Sequence, residues 1–121
     1  MSHLQRTSQI KQALNHAHYL KQHSTTTSYL SFLEDSFTQL KHSKEDPWEI
    51  AKLIAEHSLE NAKLYIKNKL IPAFYTELDR AWKVLHPLNP QWESKIDWQL
   101  LRLNVFTYLA DYYRRYHINR E

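Results

Sequence analysis

The sequence predicts an all-α fold, an antiparallel bundle of four to five helices in a single domain spanning residues 1–121, and three observations carry that prediction. No glycine occurs in 121 residues, whereas ordinary usage of about 7% would supply roughly eight. Apolar side chains recur at helical spacing along most of the chain. The breaks between stripes hold hydroxyl runs and prolines rather than hairpin signals. Glycine serves wherever the backbone needs positive φ or a close approach to a ligand. Its absence therefore disfavours tight hairpins, glycine-closed helix ends and phosphate-cradling loops together.

The first helix is expected from Ser2 to about His23, with Ile10, Ala13, Leu14, Ala17 and Leu20 as its stripe. Ser24-Thr25-Thr26-Thr27-Ser28 breaks it, because hydroxyl side chains compete for backbone groups and threonine is stiff at χ1. Thr27 or Ser28 is expected to cap a second helix carrying Leu30, Leu33, Phe37 and Leu40, ending around Lys41 to Lys44. Asp46-Pro47-Trp48-Glu49 reads as a cap, a proline in the first helical position and a capping-box glutamate. The third helix confines Lys52, Glu56, Glu60, Lys63 and Lys67 to one narrow face. Its remaining arc is apolar, so it is expected to be a central element contacted on more than one side.

Pro72 lacks an N–H for the Asn68 carbonyl, so a kink or break is expected near Ile71. Phe74, Leu78, Trp82 and Leu85 then continue the helical period to His86. His86-Pro87-Leu88-Asn89-Pro90 reads as a loop, with Asn89 and Pro90 starting a short turn. Ser94 or Asp97 is expected to cap the last helix. Leu101, Val105, Tyr108 and Tyr112 line one side of it, and Leu100, Leu103, Phe106, Ala110 and Tyr113 lie on others.

Composition limits the chemistry. The chain has no cysteine, which excludes disulfides, thiolate zinc sites and cysteine nucleophiles. Neither a nucleophile elbow nor a nucleotide-binding loop forms without glycine. The eight histidines include no His-x-x-x-His, Glu-x-x-His or His-Glu-x-x-His spacing, so no metal and no cofactor is expected. No apolar run is long enough to span a membrane. The N-terminus has no signal-like apolar block, and its acid-free first 33 residues read as an ordinary helix rather than a transit peptide. A cytoplasmic protein is the expectation.

The net charge of +3 is segregated. Residues 1–33 hold three cations and no acid, residues 34–60 hold seven acids against three bases, and both later stretches are net basic. That pattern suits an acidic partner at one end of the fold. Tyr112-Tyr113-Arg114-Arg115-Tyr116-His117-Ile118-Asn119-Arg120 interleaves arginine with tyrosine, as phosphate contact and base stacking require. Arg114, Arg115, Tyr112 and Tyr116 are therefore candidate nucleic-acid contacts, with Lys63 and Lys67 (and Lys69) extending the surface if the fold brings them near. The plain alternative is helix-end charge balance, with Asp111 and Arg115 as an i, i+4 ion pair.

Four further constellations stand out in the sequence. His57 and Asn61, four apart on an apolar face, suit a structural hydrogen-bond pair. A phosphotransfer histidine is disfavoured, because Glu60 stands where such domains place a cation. Arg80 and His86 match the spacing seen in HEPN-type ribonucleases, although Ala81 stands where that family usually has a polar residue. The acidic stretch from Glu34 to Glu60 would suit a protein-binding inhibitor of the immunity-protein kind. The paired carboxylates Glu34 with Asp35 and Glu45 with Asp46 read as caps and charge balance.

In length, all-α character, basic termini and lack of a catalytic motif, the chain resembles the small helical subunit of CRISPR effector complexes. The resemblance covers the whole chain in architecture and implies a non-catalytic subunit among other protein subunits, contacting RNA or DNA backbone. On it, Arg114 and Arg115 would meet phosphate with Tyr112 and Tyr116 packed beside them. Self-association is compatible with that role.

Overall fold

The computed structural model describes residues 8–116. Its elements are α1 (Gln9–His23), α2 (Thr26–Lys41), α3 (Trp48–Lys67), α4 (Ile71–Val84) and α5 (Ile96–Tyr116), with a 3₁₀ turn at Pro90–Ser94. No strand occurs among the described residues. The chain divides into two compact units, Met1–Ile54 and Ala55–Glu121, and the division falls within α3.

In the first unit α1 packs against α2. The pair is antiparallel: His16 meets Phe32 edge-on at 4.6 Å, and Lys21 near the end of α1 lies over Tyr29 near the start of α2. Helix α1 begins at Gln9 with Ser8 as its cap and not as a helical residue; the expected residues 2–7 lie outside the described ones. Ser8 Oγ accepts the Lys11 N–H at 3.2 Å, and the Glu45 carboxylate accepts the Gln9 and Ile10 N–H groups at 2.8 and 2.9 Å. These satisfy donors that a helix start leaves open. A glutamate 36 residues away thus supplies the negative charge that the first turn of α1 lacks.

The α2 cap is Thr25, not Thr27 or Ser28. Its extended backbone turns the chain, and its hydroxyl accepts the Ser28 N–H at 3.1 Å. The hydroxyl run offered several capping side chains, and the first one able to reach three residues ahead takes the role. Asp46 accepts the Trp48 N–H at 3.0 Å, but the Pro47 carbonyl receives the first helical N–H, that of Ala51. Pro47 therefore takes the N-cap position instead of the first helical one, and Asp46 stands just before it. The core side chains of this unit include Ala13, Ala17, Tyr29, Leu33, Leu40, Trp48, Ile50 and Ile54.

In the second unit the rest of α3 buries Ala55, Ser58, Leu59 and Ala62 and exposes Glu56, Glu60, Lys63 and Lys67. The wide apolar arc does not persist to its end, because Leu64 is exposed. Helix α3 then stops completely. The Leu70 N–H donates to the Tyr65 carbonyl at 2.9 Å and the Lys69 N–H to the Ile66 carbonyl at 3.1 Å. This is the paired closure of a Schellman motif, which needs a left-handed residue. Lys69 takes that conformation, with φ of 61°, in a chain without glycine. Pro72 falls in the first turn of α4, where its missing N–H has no helical partner to lose.

Helix α4 buries Phe74, Glu77, Leu78, Ala81 and Val84, and packs antiparallel on α5. Phe74 near its start meets Tyr108 and Tyr112, while Trp82 near its end meets Phe106. Asn89 Oδ1 accepts the Gln91 N–H at 3.0 Å and opens the 3₁₀ turn, whose Trp92 is fully buried. Neither Ser94 nor Asp97 caps α5. The helix starts at Ile96 with the Lys95 carbonyl receiving Gln99 N–H, which leaves Asp97 inside the first turn.

Candidate interaction surface on α5

The predicted arginine–tyrosine cluster forms at the C-terminal end of α5. Arg114 and Arg115 both reach Asp111, Arg115 Nε at 3.1 Å. The expected i, i+4 pair is therefore present and shared with a second guanidinium, so the trio carries one net positive charge. Tyr112 lies 5.5 Å from Tyr116 between ring centroids and 4.7 Å from Tyr75 of α4. Tyr75 Oη and Tyr113 Oη are 3.2 Å apart. That hydrogen bond, with burial second, pushes the Tyr75 phenol up to about 12. The residues beyond Tyr116 lie outside the described ones. Lys63 and Lys67 stand exposed on the last turns of α3, a separate element, and neither makes an ion pair with a described residue.

A second surface runs along α5. Only Val105 of this helix is fully buried, with Leu101, Tyr108 and Tyr112 half-buried beside it. On the opposite side stand Ile96 (68% exposed), Leu100 (55%), Leu103 (57%) and Phe106 (55%), all above half exposure, followed by Ala110 and Tyr113. Spacings of three and four residues put Ile96, Leu100, Leu103 and Ala110 in one row with Phe106 and Tyr113 at its edge. Periodicity puts these residues on other faces of the helix but does not say which of them the α4–α5 packing leaves exposed.

Arg102 borders this row. Its guanidinium lies 4.0 Å from the Trp82 ring centroid and 5.0 Å from that of Trp98. Trp98 is itself fixed, because its Nε1 donates to the Leu85 carbonyl at 2.6 Å. Sequence reasoning missed both Arg102 and Tyr75. Tyr112 and Tyr113 lie on a different helix from Tyr75, and Trp82 on a different helix from Arg102. Trp98, however, stands four residues before Arg102 on α5, a spacing that could have been read locally.

Elsewhere, Asn61 Nδ2 and His57 Nε2 are 3.3 Å apart on half-buried side chains, which fits the structural reading of that pair. Arg80 donates to Glu77 at 2.6 Å, and His86 is exposed beyond the end of α4. Glu45 and Asp46 accept backbone N–H groups at the starts of α1 and α3. An open cleft of about 390 Å³ between α1 and α2 is lined by side chains including Gln9, Gln12, His16 and Gln39. No group of three or more histidines and carboxylates able to hold a metal occurs among the described residues, and no described helix is long and apolar enough to cross a membrane. Comparison with protein-family models, curated proteins and solved structures found no match for the chain.

Proposed function

We propose that this chain is a non-catalytic helical subunit or adaptor that docks through the outward row of α5 into a larger assembly, with its arginine–tyrosine end beside RNA or DNA backbone. The observation that supports docking is that face: Ile96, Leu100, Leu103 and Phe106, large apolar side chains three to four residues apart, each more than half exposed. Contiguous exposed apolar surface rimmed by polar groups marks interaction sites on soluble proteins. The nucleic-acid element rests on Arg114, Arg115, Tyr112 and Tyr116, which gather at one helix end in the mixture that suits phosphate and base contact. Lys63 and Lys67 add exposed cations on α3. On this reading the chain plays the part that the small helical subunit of a CRISPR effector complex plays in its assembly.

The test is purification from the cells that make the protein, before and after nuclease, over a salt series. A co-eluting nucleoprotein complex supports the reading, with polynucleotide contact that weakens steeply as salt rises. Arg114→Ala with Arg115→Ala should weaken that contact and flatten its salt dependence. Elution as a lone chain under all conditions would count against it.

A further inference from the structure

We infer that Arg102 is a built anchor for a carboxylate, and that the α5 row takes an acidic amphipathic helix of a partner protein. This rests on the subunit reading above and names the chemistry of the partner. Four arginines lie among the described residues. Arg80 is paired with Glu77, and Arg114 and Arg115 share Asp111. Arg102 alone has no carboxylate among the described residues; its neighbours are the Trp82 and Trp98 rings.

Stacking on indoles uses the flat faces of a guanidinium and leaves its edge N–H donors for a planar anion. The side chain is also ordered in advance: Trp98 is tied to the Leu85 carbonyl, and the guanidinium lies close to both indoles. Less rotamer freedom is then lost on binding. Leu103 and Phe106 border it and are more than half exposed. A partner that covers them also removes water from the ion pair and strengthens it.

Two chemistries offer an anion to Arg102, and the surrounding surface decides between them. A phosphate backbone gives Leu100, Leu103 and Phe106 nothing apolar to bury. An amphipathic helix carries apolar side chains at the same three- and four-residue spacing and a carboxylate on its flank. Arginine and tryptophan are also enriched among the residues that dominate protein–protein contacts once a partner covers them.

The test begins with benzoylphenylalanine in place of Phe106 in the full chain, irradiated in the cells that make it, and the cross-linked residue mapped by mass spectrometry. The expected attachment is an apolar residue of another protein with Asp or Glu within roughly one helical turn, about four residues. Arg102→Glu should then weaken that complex about tenfold or more, and Lys at the mapped carboxylate should restore it. Arg102→Gln, with its thermal melt checked against wild type, serves if the reversal fails to fold. Attachment to nucleic acid, lipid or a second copy overturns the inference, as does a segment without a carboxylate. An assembly that persists unchanged with Arg102→Glu or Arg102→Gln overturns this inference and leaves the subunit reading standing. No attachment and no assembly overturns both.

Discussion

Trp98 Nε1 donates to the Leu85 carbonyl at 2.6 Å, tying the first turns of α5 to the last turn of α4. Leu85 closes α4, so its carbonyl is one of those a helix end leaves without an intrahelical partner. The same indole braces Arg102. Trp98→Phe keeps an aromatic ring but removes the donor. Chemical denaturation should show a loss of about 1–3 kcal/mol, the usual cost of stranding a buried polar group. An unchanged midpoint would mean that water replaces the indole at no cost.

Lys69 holds φ of 61° so that α3 can close without glycine. A left-handed conformation costs a residue with a Cβ roughly 1–2 kcal/mol. Lys69→Gly should therefore raise stability by about 1 kcal/mol, some of the gain being offset by the greater freedom of glycine in the unfolded chain. A fall in the unfolding midpoint would show that the lysine side chain contributes more than its backbone costs.

Ser58 Oγ is buried on α3 without a hydrogen-bond partner among the described residues. A buried unsatisfied hydroxyl costs roughly 1–3 kcal/mol, and alanine is also the better helix former. Ser58→Ala should raise the melting temperature. A lowered one would assign the hydroxyl a role in packing or binding.

Tyr75 is held protonated by its hydrogen bond to Tyr113, with a phenol pushed up to about 12 from 10.0. The folded state thus favours the neutral phenol. That contribution to stability is present below pH 10 and is lost as pH rises through about 12. Tyr113→Phe removes the partner, so ultraviolet titration should show one tyrosine ionising at lower pH than in the wild type. Identical curves would show that the pair does not set the shift.

Local chemistry made most of the helix map legible. Asp46 with Pro47 marked the start of α3, Pro72 marked the break before α4, and Asn89 with Pro90 marked the short turn. What escaped were choices among equivalent local options and contacts between distant segments. Any of several hydroxyls could have capped α2, and only backbone conformation selected Thr25. Glu45 was recognisable as a cap, but not as the cap of a helix beginning 36 residues earlier. The Arg114–Arg115 cluster was legible because its residues adjoin in sequence. The contact of Arg102 with Trp82 was not, because Trp82 comes from another helix, although Trp98 stands four residues before Arg102 on the same one. For α5, apolar residues surround the helix, so periodicity could not say which side would remain open; Val105 turned inward and Leu103 outward.

The outward row of α5 is the centre of the functional proposal, and one measurement bears on it most directly. Wild type and Leu103→Glu with Phe106→Glu are each recovered from the cells that make the protein, and the mass of the eluting species is determined by light scattering. Both residues are more than half exposed, so the variant should keep its helical content and melting temperature. The expected result is a large assembly for wild type and a lone 14.7 kDa chain for the variant. An assembly of equal mass and yield with both glutamates in place would contradict docking through this face.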